Sequence, residues 1–395
     1  MPPFSRRAFA VGTLTALTGC AGLSRSSSDS RSAGRVEPSG SDATDRSTAA
    51  STAGATDGSG PPLADRQPYV PFEPAFLRER VLSGGPGKDG IPAIDEPTFV
   101  PVSEAPETLD PESLVFGVVH DGAIKAYPQY VLVWHEIVND TLGGTPVSIT
   151  YCPLTGTTMG FERGETTFGV SGKLLNSNLL MYDRATDSRW PQMLATAISG
   201  PLLGEALREV PLAWSTWKGW REAYPETLVL TEDTGYVRDY GGDPYGSYGP
   251  PDGYYADRGT LFAPLHEDDR YHPKSVVLGA RTTDGAIAFP EPALRQRGLL
   301  EGTTSASDAT NGTDTGGADT AEAGTRLLAV YDPTLDAASV HRNPEGLAFE
   351  YRKGTVIGPD GGSYAPDALP LEAVMGYDAM WFAWAGFYPN TAVAE

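Results

Sequence analysis

Cys152 is the side chain with the most chemistry to offer in this sequence. It stands in Thr150-Tyr151-Cys152-Pro153-Leu154-Thr155-Gly156-Thr157-Thr158-Met159-Gly160-Phe161, where a β-rich run over 147–151 delivers the thiol to a turn made by Pro153 and Gly156. The chain has two cysteines, and the other, Cys20, is the expected site of lipid attachment, so Cys152 has no partner for an intramolecular disulfide. Four readings stand open: an inert buried thiol, a bond to another chain, a metal ligand, or a nucleophile. A metal site would join Cys152 to His135 and one of His120, His266 or Met159, a thiolate, imidazole and thioether set that suits copper first and zinc next. A nucleophile would use His135 as base, with Glu136, Asn139 or Asp183 orienting it. Asp239 and Asp243 are oxygen ligands without the spacing of a calcium loop. Phosphate loops, nucleophile elbows and zinc helices do not occur.

Strands and one helix must position these groups. Residues 114–119 and 123–127 flank the Asp121-Gly122 hairpin turn, and Tyr130, Val131, Trp134, Ile137 and Val138 recur at helical spacing in a run ending at Gly143-Gly144. Strands follow over 147–151, 157–161 and 167–172, and Asn176 and Asn178 alternate along a further one. Asp183, Arg184 and Trp190 suggest a buried structural ion pair.

The pattern then recurs. Asp284-Gly285-Ala286-Ile287-Ala288-Phe289-Pro290 matches the run from Asp121 to Pro128 with one deletion, and Val330-Tyr331-Asp332-Pro333 matches Thr150-Tyr151-Cys152-Pro153. Tyr377-Asp378 leading to Trp384 echoes Tyr182-Asp183 leading to Trp190. The expected fold is α+β and strand-rich, with two related β-β-α-β halves in one compact domain at 67–395. The first half runs over 110–200, an excursion over 201–273, and the second half over 274–395, with a disordered insert at 303–324 that holds the sequon Asn311-Gly312-Thr313. The first copy has Cys152 where the second has Asp332, His135-Glu136 where it has Arg297-Gly298, and Arg184 to Arg189 where it has Met380 to Ala383. That difference assigns the chemistry to the first half and a structural role to the second.

Charge and address come from the rest of the chain. The formal charge is 29 − 51 = −22, with six lysines among the 29 basic residues, the composition of a protein kept soluble in concentrated salt, here a halophilic archaeon's. No basic footprint for nucleic acid is visible. Ser5-Arg6-Arg7-Ala8-Phe9 resembles a twin-arginine export signal, and Leu17-Thr18-Gly19-Cys20 resembles a lipobox. The expectation is a signal peptide at 1–19, lipid on Cys20 anchoring an extracytoplasmic protein to the membrane, and a Ser/Thr-rich tether over 20–66.

Several of these motifs together resemble a known family. They are His135-Glu136-Ile137-Val138-Asn139-Asp140, Tyr151-Cys152-Pro153-Leu154-Thr155-Gly156-Thr157, Ser177-Asn178-Leu179, Met181-Tyr182-Asp183-Arg184, Trp190-Pro191-Gln192 and Trp381-Phe382-Ala383-Trp384. Over residues 68–390 they are similar to the family called domain of unknown function 3179. The resemblance implies an exported, often lipid-anchored protein of archaea and bacteria, and it implies no activity. Three functions remain open: a surface binding protein that takes copper or zinc at Cys152 and His135, a thiol-dependent enzyme, and a structural envelope lipoprotein.

Overall fold

The computed structural model describes residues 60–306 and 324–395. The signal peptide, Cys20, nearly all of the tether, and the part of the insert that holds Asn311 lie outside the described residues.

In the first half, β1 (Leu114–His120) and β2 (Ala123–Pro128) form a hairpin, followed by α1 (Gln129–His135) and a meander of β3 (Ile137–Leu142), β4 (Thr145–Cys152) and β5 (Thr157–Glu162). Asp121 and Gly122 have φ of 48° and 77°, the left-handed backbone that a two-residue hairpin turn requires. The helix stops at His135, earlier than its apolar spacing predicts. Glu136 turns left-handed at φ 58°, and β-branched Ile137 and Val138 pair instead with Thr150 and Ile149 of β4. Gly143-Gly144 is therefore the β3–β4 hairpin turn, not a helix end.

A second small sheet, β6 (Phe168–Leu175), β7 (Asn178–Asp183) and β8 (Arg189–Pro191), is inserted next. Asn176 and Ser177 form its left-handed turn, so Asn176 does not share a strand face with Asn178. Asp183 accepts from Trp190 Nε1 at 3.0 Å and from Thr186, whereas Arg184 pairs with Asp95 at the surface; the expected Asp183–Arg184 pair does not form. The chain then returns to its earlier sheets. β9 (Glu209–Val210) pairs with β5, β10 (Ala213–Thr216) with β1, and after α2 (Trp217–Ala223) β11 (Leu228–Leu230) lies parallel to β2. Residues 209–230 thus complete the first half's sheets, although the sequence pattern placed them in an excursion.

The second half repeats this order. It comprises β12 (Val276–Arg281), β13 (Ala286–Pro290), α3 (Glu291–Arg297), β14 (Leu299–Thr303), β15 (Arg326–Asp332) and β16 (Ala337–Arg342), closed by β17 (Glu372–Val374), β18 (Gly376–Met380), α4 (Trp381–Phe387) and β19 (Ala392–Val393). β17 pairs with β16, β18 with β12, and β19 lies parallel to β13. The true counterpart of the Trp384 segment is Trp217-x-x-Trp220-x-x-x-Tyr224-Pro225-x-Thr227, matched by Trp381-x-x-Trp384-x-x-x-Tyr388-Pro389-x-Thr391, and not the segment at Trp190. In both copies the second Trp stacks on its Tyr at 4.4 Å and donates from Nε1 to the Thr hydroxyl, at 3.0 and 3.2 Å. In both, too, a strand glycine, Gly117 or Gly279, leaves room for the indole.

The architecture is α+β and strand-rich, with several sheets and short helices. Its largest apolar cluster draws on both halves, from Cys152, Met159 and Trp190 to Trp381 and Trp384. Each of those buried indoles removes ~200 Å² from water, worth about 5 kcal/mol at ~25 cal/mol/Å². The halves also interlock through backbone: Met380 N–H donates to Thr155 O at 2.8 Å, and Gly219 lies close against the Thr334 carbonyl. Among the described residues no helix is long and apolar enough to cross a membrane.

Candidate functional site

Cys152 ends β4 and is 1 % exposed. Its Sγ donates weakly to Ser177 O at 3.6 Å. Burial pushes the thiol up to about 11, with the Glu136 carboxyl adding to the rise. Thr155 and Leu179, as neighbouring hydrogen-bond donors, work the other way and lower it. A buried network holds Thr155. Asn178 Nδ2 donates to Thr155 Oγ1 at 3.1 Å and to Gln192 Oε1 at 2.8 Å, and Gln192 Nε2 donates to Thr150 Oγ1 at 2.9 Å.

His135 is not part of this group. One ring nitrogen, Nδ1, lies 2.8 Å from Pro92 O and must donate to it; the other, Nε2, lies 2.7 Å from the Tyr240 hydroxyl and accepts from it. Both nitrogens are taken, and burial lowers the imidazole's pKa. His135 therefore serves neither as a base for Cys152 nor as its fellow metal ligand in this structure. Met159 lies opposite Thr150 and so on the same sheet face as Cys152, but it is packed in the core. His120 stands at a strand end beside Asp121, and among the described residues no group of three His, Cys, Asp or Glu side chains is placed to hold a metal ion. The copper or zinc site expected at Cys152, His135 and Met159 has no assembled ligand set here. Asp243 is no calcium ligand either, because it accepts from Gln129 Nε2 at 2.8 Å, from Tyr255 OH at 3.0 Å and from the Tyr245 N–H at 2.7 Å.

Those bonds belong to a loop over 236–258 that is pinned across the first half. Tyr240 meets His135, Trp134 Nε1 donates to Gly242 O at 3.2 Å, the hydroxyls of Tyr248 and Tyr151 are 2.8 Å apart, and Tyr254 OH donates to Leu154 O at 2.8 Å.

A concavity lies elsewhere, between the halves. It is a cleft of about 880 Å³ whose walls include Gln129, Tyr130 and Trp214 of the first half, Asp243, Tyr248 and Tyr255 of the loop, and Glu291, Arg295, Asp336 and Asp378 of the second half. The repeat explains the placement. Glu291 opens α3 as Gln129 opens α1, Asp378 lies opposite Leu278 as Trp214 lies opposite Phe116, and Asp336 takes the left-handed turn position of Gly156, at φ 53° and 56°. At each pair the second half carries the carboxylate.

These acids differ in environment. Arg295 holds Asp336 with two bonds of 2.8 Å and Glu291 with one of 2.6 Å, and the Tyr331 hydroxyl also donates to Asp336. The Asp378 carboxyl makes no hydrogen bond to a described residue. Burial against the cleft wall, with the Glu291 charge adding to it, pushes Asp378 up to about 8, and burial raises Glu291 as well. On the same cleft, Lys274 donates from Nζ to Tyr254 O at 2.9 Å, and burial brings it down to about 8. Two carboxyls raised by burial on one cleft wall are the kind of perturbed groups that gather at functional sites.

Sequence reasoning named none of Glu291, Asp336 or Asp378 as functional. The copy comparison holds a signal, Gln129 against Glu291 and Gly156 against Asp336, but it looks for chemistry in the first copy, where these positions carry no ionisable group. The model of the family described as "Protein of unknown function (DUF3179)" matches residues 88–391 of this chain. No curated protein and no solved structure matches it.

Proposed function

The chain belongs to that family, described only as of unknown function, and we propose, from its N-terminal sequence, that it is extracytoplasmic and lipid-anchored and, from its geometry, that it takes a small polar ligand in the cleft between its halves. The observation that carries this reading is Asp378, a carboxyl facing a cleft of about 880 Å³ with no hydrogen-bond partner and held protonated near neutral pH, hence a donor where most carboxyls only accept. The ligand is neutral or cationic. Carboxylates outnumber cations on the cleft walls, and Arg295 and Lys274 are already bonded.

A ligand screen by thermal shift on the mature protein in high salt tests the binding reading. Neutral or cationic hits that vanish in Asp378→Ala, with the unliganded melting temperature retained, support it; hits that are all anionic, or that persist in the variant, contradict it. The anchor is tested separately: Cys20→Ser should release the protein from the membrane into the medium. A wild-type protein that fails to partition with membrane lipid would remove the anchor without touching the cleft.

A further inference from the structure

We propose that the cleft between the halves takes an organic ammonium ion, its alkyl or aryl body on an aromatic wall built by the first half and the 236–258 loop, and its charged end toward the carboxyls of the second half. This rests on the reading of the cleft as a ligand site and names the class of ligand.

The same positions of both copies line the cleft. Leu114 pairs with Thr216 as Val276 pairs with Met380, and all four residues are on its walls. So are Gln129 and Glu291, the first residues of α1 and α3, and so are Trp214, opposite Phe116, and Asp378, opposite Leu278. The two walls are thus one surface used twice, and what differs between them is not dictated by the shared fold. Where the first copy has an amide and an indole, the second has two carboxyls. A ligand that fits both walls has unlike ends, one apolar and one that pairs with acid.

The aromatic wall is held in place. Trp214 stands edge-to-face with Tyr248 at 5.5 Å, Tyr248 stacks on Tyr255 at 3.8 Å, and Phe116 backs Trp214 from the core at 5.0 Å. The phenol hydroxyls are consumed, because Tyr248 and Tyr151 share one bond at 2.8 Å and Tyr255 donates to Asp243 at 3.0 Å. What this wall offers is ring surface, which attracts apolar groups and, through the negative ring faces, cations.

Charge selects the cation. Six carboxyl side chains and only two basic ones line the cleft, so its walls are acidic in sum. Arg295 is shared between Glu291 at 2.6 Å and Asp336 at 2.8 Å, one guanidinium for two acids. Lys274 pairs with neither; its Nζ lies 3.1 Å from the Tyr254 ring centroid and donates to the Tyr254 carbonyl at 2.9 Å, a cation of the chain's own already seated on a ring. Asp378 makes no hydrogen bond to a described residue and is the carboxyl left for the ligand. A neutral ligand would displace water from these acids without answering their charge, and an anion would add to it. An ammonium ion answers it, with Asp378 giving its proton to solvent and pairing as the carboxylate.

The test is calorimetric titration of the mature protein at high salt with one aryl body carrying three heads: 2-phenylethylammonium, 2-phenylethanol and phenylacetate. Methylammonium serves as a head without a body. The proposal predicts that 2-phenylethylammonium binds at least tenfold tighter than the alcohol and than methylammonium, and that phenylacetate does not bind. Asp378→Asn, which keeps the side-chain shape, should abolish the preference for the ammonium over the alcohol, and Trp214→Leu should weaken both alike. Should Trp214→Leu fail to fold, the wild-type series and Asp378→Asn still decide. An alcohol bound as tightly as the ammonium, or a preference that survives Asp378→Asn, overturns the ammonium proposal and leaves the cleft a ligand site. If none of the four compounds binds, the proposal falls; neutral hits in the thermal-shift screen that vanish in Asp378→Ala would then keep the cleft reading, and their absence would remove it too.

Discussion

Glu136 and Gly298 hold the same position in the two copies: each ends a seven-residue helix with left-handed backbone, and each offers its carbonyl to the N–H of an equivalent tyrosine, Tyr151 at 2.8 Å and Tyr331 at 2.9 Å. The fold asks only for the left-handed cap there. A side chain at that position in one copy alone is therefore an addition to the fold, and a destabilising one.

Replacing Glu136 by Gly should accordingly stabilise the protein, by about 1 kcal/mol from the backbone alone. The pH dependence gives a sharper signature. With the folded carboxyl at about 8 and the unfolded one at its ordinary value, the folded state holds one more proton between them, so wild-type stability falls as pH rises through that window. The slope is about 1.4 kcal/mol per pH unit for one proton. Denaturant titrations from pH 5 to 9 should show the variant losing one proton's worth of that slope; parallel curves would place an ordinary carboxyl at Glu136.

Gly117 and Gly279 should respond alike to substitution. A Cβ at either would come within 2.2 Å of Trp220 or 2.1 Å of Trp384, on β1 and β12 respectively. Neither indole has space to retreat, so Gly→Ala at each site should cost roughly 3 kcal/mol or more. Comparable losses in chemical denaturation check that the two halves share one packing plan; a tolerated alanine at one site would show that they do not.

The 236–258 loop should loosen in acid. Burial lowers the pKa of His135, so the folded state resists a proton that the unfolded chain accepts, and stability drops as pH falls below about 6.5, the imidazole's ordinary value. Protonation also reverses the bond with Tyr240: Nε2–H then donates to the hydroxyl oxygen, which must turn its own proton toward Thr234 Oγ1. Hydrogen exchange over residues 236–258 should quicken below pH 6 in wild type, and Tyr240→Phe should show the same loosening already at pH 7.5. Exchange that is flat with pH in both would contradict it.

Much of the architecture is legible in the sequence, because period-2 alternation and Asp-Gly turns are local signals. Cys152 against Asp332 and His135-Glu136 against Arg297-Gly298 align in space as they do in the text. Three features are not legible for physical reasons. The helix of residues 129–135 is cut short by the pairing of Ile137 with Thr150, a contact that propensity does not contain. The Trp-x-x-Trp repeat is hidden because its two copies lie at different distances from their hairpins, separated by unlike insertions. The acidic cleft exists only where the two halves meet, so Glu291, Asp336 and Asp378, far apart in sequence, had no local pattern to betray them. His135, the most suggestive single residue, is consumed in holding the loop.

The most direct test of the account is the titration of Asp378 itself. With ¹³C-labelled aspartate carboxyls, the resonance assigned by its loss in Asp378→Asn should titrate at about 8, driven up by burial beside Glu291, and should move toward the ordinary carboxyl range when a cationic ligand from the screen is bound. A midpoint near 4 in the free protein would mean that Asp378 is an ordinary solvated carboxylate, and the cleft would lose the one feature that marks it as a site.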